Sequence, residues 1–234
     1  MTDSSKYFEF IDKYCERTIE GVSGEPLNVV SNIAFLVVSL LLLKYFRQNF
    51  QGEFLKNWDI ATLIFLLFCM TLGSTLWHVY AVRWALYTDA IPILIFMNLF
   101  LLSCLFRVLN IGVVKMFLFF CAYQLFNYVI QSQFSMDTLN GSIFYLPVFV
   151  FLVGILLFVR QYRPDLYQYY VISVVLFSVS LVLRTFDVSQ CDNFPLGTHF
   201  LWHTLVSIML YFLTMSLMLA SIIDKSDNTQ EPHT

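Results

Sequence analysis

Apolar residues fall along this chain in long blocks, with no strand-like alternation inside them. Seven runs, at 27–46, 59–80, 88–106, about 111–131, 143–159, 168–186 and 198–223, are parted by brief polar breaks such as RVLN and RQYRPDLY. A bilayer core about 30 Å thick takes roughly 20 apolar residues per helical span, so each run predicts one crossing. Strands of a membrane barrel would be tilted segments of about ten residues with alternating polarity, whereas these runs are longer and apolar on every side. The expected fold is all-α, an integral membrane seven-transmembrane helix bundle at 27–223. A polar N-terminal segment, 1–26, is expected to fold over the bundle mouth, and 224–234 to form a flexible C-terminal tail.

Composition agrees with this reading. Of 234 residues, 59% are hydrophobic and 12% charged, with a mean hydropathy of +0.72, outside the range of an ordinary soluble domain. Asp3, Glu9, Asp12, Glu16, Glu20 and Glu25 make the first 26 residues unlike a signal peptide, so that segment reads as structure or site. Lys and Arg outnumber eight to five on the side holding the C-terminus, which predicts a cytoplasmic C-terminus and an outward N-terminus. Cys69, Cys104 and Cys121 lie inside spans and read as small hydrophobes. Cys15 and Cys191 fall together on the outward, oxidising side, where they form either a disulfide or two free thiols.

Ionisable groups inside spans are expensive and mark candidate chemistry. His78, Asp89, Arg184, Asp187, His199 and His203 all lie at the outward ends of their helices, joined there by Glu25, Asn28 and Asn32. His233 stands apart in the tail. His199 and His203, four residues apart, project from one helix face and can reach one ion. With His78 they supply three nitrogens and leave a fourth position open, the usual plan of a catalytic zinc. Ser74 shares a face with His78, and Asp89 follows after a short turn. A carboxylate there can move a proton, and a hydroxyl can donate to an oxyanion. Each residue also has a plainer reading. A single histidine can snorkel or hydrogen-bond locally, Ser74 can bond back to its own helix, and Asp89 can favour a helix N-terminus capped by Thr88. Arg184 and Asp187 can pair with each other. Trp77 and Trp202 read as interfacial anchors, Tyr14, Tyr80 and Tyr87 as belt residues, and the 25 Phe as lipid-facing bulk.

Several blocks together resemble the alkaline ceramidases and their bacterial relatives, within the seven-helix membrane hydrolases that include the adiponectin and progestin receptors. They are YCER (14–17) with EPLNVVSN (25–32), GSTLWH (73–78) with YTDAIP (87–92), and RTFD (184–187) with PLGTHFLWH (195–203). The resemblance implies zinc on His78, His199 and His203, with Ser74 and Asp89 completing the catalytic group. It implies hydrolysis of the N-acyl amide of ceramide or a related lipid to a fatty acid and a sphingoid-type amine. The implied partner is a membrane lipid rather than a nucleic acid, met at the outward mouth. It also implies a calcium site, to which Glu16 and Glu25 would contribute, with Glu20 or backbone carbonyls making up missing oxygens. Lys13, Tyr14 and Thr18 stand where the family pattern has an acid, another aromatic and an asparagine. The rival reading is that Glu16 and Glu25 hold the N-terminal segment over the mouth through Arg17 or Arg184. For the whole chain the rivals are a seven-helix receptor or sensor with a structural metal, and a zinc hydrolase of another lipid amide or ester.

Overall fold

A computed structural model describes residues 4–17, 19 and 24–230. Thr18, Glu20 and His233 lie outside the described residues. Among those described, seven helices are long and apolar enough to cross a membrane, and the architecture is the expected all-α bundle. They are α1 (Pro26–Asn49), α2 (Trp58–Tyr80), α3 (Arg83–Arg107), α4 (Val113–Gln133), α5 (Leu146–Tyr162), α6 (Tyr167–Phe186) and α7 (His199–Gln230).

Three boundaries differ from expectation, each for a local reason. Helix α3 begins at Arg83, because Ala81 takes a left-handed conformation (φ 47°) and turns the chain within two residues. Asp89 therefore sits in the second turn, and the Thr88 hydroxyl caps nothing but donates to the Ala85 carbonyl (2.7 Å). Ahead of α5, Thr138–Tyr145 forms a 3-10 segment broken by three consecutive positive-φ residues, Leu139, Asn140 and Gly141. Helix α7 continues through Gln230, so most of the expected flexible tail is helical.

Helices α2 and α3 come into close backbone contact at Gly73. A Cβ there would collide with the Thr88 carbonyl. Pro92, inside α3, has no N–H to offer that carbonyl four residues earlier. The contact brings Ser74, one residue on, opposite Asp89. At the far end Arg107 ties α2, α3 and α7, donating to Asp59 (2.6 and 2.8 Å), Asn57 (3.1 Å) and Ser221 (2.7 Å). Phe35, Phe46, Phe96, Phe100, Phe151 and Phe177 are buried in the bundle, so the phenylalanines are not all lipid-facing.

The N-terminal segment is folded over the mouth. Phe10 bridges Val82, and the Ile11 N–H donates to the Ala81 carbonyl (2.8 Å). The Glu16 carboxylate accepts the free backbone N–H groups of Leu27 (2.5 Å) and Asn28 (2.8 Å) at the start of α1. Asp187 does the same for α7, accepting from Thr198 (2.5 Å) and His199 (2.9 Å). It is a remote N-cap, not the partner of Arg184. Gly197, with φ +63°, is required beside it, since a Cβ would strike the Asp187 carboxylate and Cys15.

Cys15 and Cys191 are disulfide-bonded, with Cα atoms 5.0 Å apart across 176 residues of sequence. Chain entropy for so long a loop allows at most about 5 kcal/mol of stabilisation, less where helices persist in the unfolded membrane state. Cys15→Ser or added reductant is expected to lower the thermal unfolding midpoint in detergent. An unchanged midpoint with proven reduction would show that the segment is held by its polar contacts alone.

Candidate metal centre

His78 lies in the last turn of α2, and His199 and His203 in the first turns of α7. Their side chains converge at the mouth, each at most 4% exposed. One ring nitrogen from each lies within 4.8 Å of the others. This is a group that could hold a metal ion.

The hydrogen bonds around the rings say which nitrogens face inward. His78 Nδ1 is 2.5 Å from Glu25 Oε2, so the carboxylate accepts a proton held on Nδ1. His203 Nδ1 is 2.8 Å from the Ser31 hydroxyl, whose own proton goes to the Asn28 carbonyl (2.8 Å). The network thus assigns the His203 proton to Nδ1 as well. That leaves Nε2 of both rings as bare lone pairs, and they face each other at 3.2 Å. Two lone pairs repel at that separation unless a positive ion lies between them. His199 Nδ1 is buried with no hydrogen-bond partner. Inward lone pairs with the outer nitrogens held by oxygen acceptors are what metal-ligating histidines show.

The surrounding side chains are positioned by the N-terminal segment. Tyr14 stacks on the His199 ring, centroids 3.9 Å apart, and Trp77 Nε1 is 3.4 Å from its hydroxyl. Tyr14, Trp77 and Trp202 are 8, 1 and 6% exposed, so they wall the site and are not belt or anchor residues. Tyr80 and Tyr87 do remain on the surface. Burial pushes the Tyr14 phenol up to about 12, which keeps it neutral. Glu25 is held by Arg17 Nε (2.5 Å), Asn28 Nδ2 (2.9 Å) and His78. Burial raises its carboxyl above the ordinary range, and Asn28 and Arg17 oppose the rise. Burial raises Glu16 likewise, against the two backbone donors.

Among the described residues, Glu16 and Glu25 are engaged by hydrogen-bond donors rather than arranged around an ion. Both oxygens of Glu25 face N–H donors, and both oxygens of Glu16 face backbone N–H groups. A calcium ion needs six to eight oxygens, and here the Arg17 guanidinium already supplies the cation. It also donates to the His78 carbonyl (2.6 Å). Glu16 and Glu25 therefore hold the segment over the mouth. The role of Arg17 was half legible in sequence, since it was one of two cations within reach. Ser31 as a partner of His203 carried no sequence signal beyond its position on α1.

Beside the histidines opens a cavity of about 470 Å³, and His199, His203, Ser74 and Asp89 line it. It runs along α7 from His199 to Leu213, roughly 20 Å at 1.5 Å per residue. Most of its wall is aliphatic or aromatic. Thr71 and Thr75 bond back to carbonyls of α2 (3.0 and 2.7 Å), whereas the Ser74 hydroxyl reaches across to the Asp89 carboxylate. Comparison of the sequence with protein-family models and with curated proteins finds no match.

Replacing His203 with Ala is expected to abolish stoichiometric metal in the purified protein, read by elemental analysis. Glu25→Gln should lower metal affinity about 10–100-fold, the usual effect of removing a carboxylate behind a ligating histidine. Wild-type affinity in Glu25→Gln would remove Glu25 from the metal's support.

Proposed function

We propose that the protein is a zinc-dependent intramembrane amidase, hydrolysing the N-acyl amide of ceramide or a related N-acyl lipid to a fatty acid and a sphingoid-type amine. The observation that carries this reading is the meeting of two features: a group of three buried histidines, and a largely apolar cavity lined by two of them, His199 and His203, together with Ser74 and Asp89. A structural zinc takes four protein ligands, while a catalytic one takes three and keeps a position open. Among the described residues the histidine group has three members. His78, His199 and His203 would hold the metal, with Nε2 of His78 and His203 3.2 Å apart.

Zinc bound by three nitrogens acts as a Lewis acid and makes water a nucleophile at neutral pH. The reaction adds water across the C–N bond: hydroxyl goes to the acyl carbon and a proton to the leaving amine. In this reading Asp89 accepts the water's proton and delivers it to that nitrogen. Ser74, whose hydroxyl bonds to Asp89 at rest, can turn its donor to the developing oxyanion. Glu25 and Ser31 keep the His78 and His203 rings in the ligating tautomer. The largely apolar channel would take the acyl chain. Helix α4 buries little beyond Tyr123 and Ile130 and is clipped to α3 by a Gln124–Asn98 hydrogen bond, and this reading has the lipid enter on its side. The Cys15–Cys191 disulfide at this mouth supports an outward, oxidising orientation for the site.

Purified protein incubated with N-acyl lipids should release fatty acid, detected by mass spectrometry. Chelator, His203→Ala and Asp89→Asn should each reduce the rate at least about 100-fold, as loss of the metal or of the proton-transferring group does. Ser74→Ala should cost about 10²-fold or more through the oxyanion. Intact zinc with no turnover of any N-acyl lipid or ester, together with a ligand-induced conformational change, would favour a receptor instead.

A further inference from the structure

Arg184, in the last turn of α6, is the least expected charge in the cavity wall. Its guanidinium carbon lies 5.2 Å from the centroid of the Trp202 ring and 5.7 Å from that of Tyr145, so aromatic faces hold it in place. The Tyr14 hydroxyl is its hydrogen-bonding neighbour, and Nε is buried with no partner at all. Lys13, half-buried, lines the same cavity from the N-terminal segment. Burial and the facing Arg184 charge push its ammonium below the ordinary lysine range. Among the described residues neither cation has a carboxylate within ion-pair distance. Asp137 acts on Lys13, and Asp89 on Arg184, only from farther away.

A desolvated guanidinium without a counter-ion is costly, because protein dipoles replace lost hydration only in part. The Asp187 carboxylate nearest in sequence is committed to capping α7. The Asn140 amide donates to the Arg184 carbonyl (2.9 Å) and leaves the guanidinium untouched. The left-handed turn at Leu139–Gly141 brings the chain alongside, where a Cβ on Gly141 would sit 3.5 Å from an Arg184 nitrogen. The cavity therefore has a planar donor fork and an ammonium at its mouth, both facing the space beside Ser74 and Asp89.

We propose that Arg184 and Lys13 form a subsite for an anionic oxygen group at the polar end of the lipid held in this cavity. The inference rests on the amidase reading in placing a lipid there. The anion has two chemical sources: the carboxylate of the released fatty acid, and an acidic group carried on the amine part of the substrate. A guanidinium fork pairs with either.

The test is equilibrium binding to the zinc-loaded full chain in detergent, by competition against a fluorescent acyl probe. Oleate is compared with oleyl alcohol, and N-oleoylglycine with N-oleoylethanolamine. At least one acid should bind about tenfold tighter than its neutral counterpart, as expected for a charge-assisted pair. That preference should collapse in Arg184→Gln and weaken in Lys13→Gln, and Arg184→Lys should restore part of it. Preference in the first pair alone assigns the product carboxylate, and in the second alone an acidic headgroup. Lys13 is at the rim, so its variant keeps the test decisive if Arg184→Gln does not fold. Equal binding of acids and neutral counterparts, or a preference untouched in both variants, would overturn the subsite. Hydrolysis is not read in this assay. A protein that prefers acids yet cleaves no amide sinks the amidase reading alone, and an amidase without the preference sinks the subsite alone.

Discussion

The Glu25 carboxylate is the joint on which the mouth of the bundle depends: one oxygen takes the Arg17 Nε–H, the other the His78 Nδ1–H and the Asn28 side-chain amide. One buried anion thus fixes the N-terminal segment, the start of α1 and the end of α2 together. Removing such a charge from water costs several kcal/mol unless it is fully hydrogen-bonded, so the three partners must be present at once. The same bond that holds the segment down also turns the His78 ring inward.

Arg17 makes this arrangement self-sufficient. Its guanidinium neutralises Glu25 and also satisfies the His78 carbonyl, one of the last carbonyls of α2 that its helix leaves without a partner. An internal cation is always present, whereas a bound ion depends on its concentration. The disulfide at Cys15 and the Glu16 bonds to the start of α1 secure the residues on either side. The three histidines sit on long helices, and their rings are held by Glu25 and Tyr14 of the N-terminal segment and by Ser31 of α1.

Burial is uneven around the cavity. Helices α2 and α3 meet backbone to backbone at Gly73, and Arg107 clamps the opposite end of α2, α3 and α7. Helix α4 offers few buried side chains, and a hydrogen bond between the Gln124 and Asn98 amides links it to α3. The cavity thus has a closely packed side at α2, α3 and α7 and a less buried wall at α4.

Hydrophobic blocks alone determined that seven helices span 27–223, because each must satisfy its backbone internally in an apolar solvent. Chain direction then brought His78, Asp89, His199 and His203 to one end, and the four-residue spacing put two histidines on one face. Helix rotation and lateral packing were not legible, since lipid tails are as apolar as a leucine core and hydropathy cannot tell them apart. Only the tertiary structure decided that Trp77, Trp202 and Tyr14 turn inward, and that Asp187 caps α7 while Arg184 faces the cavity. It likewise chose the disulfide over two free thiols, and Arg17 as the partner of Glu25. Those outcomes are pairings between segments far apart in sequence, set by which polar groups must find a partner once water is gone.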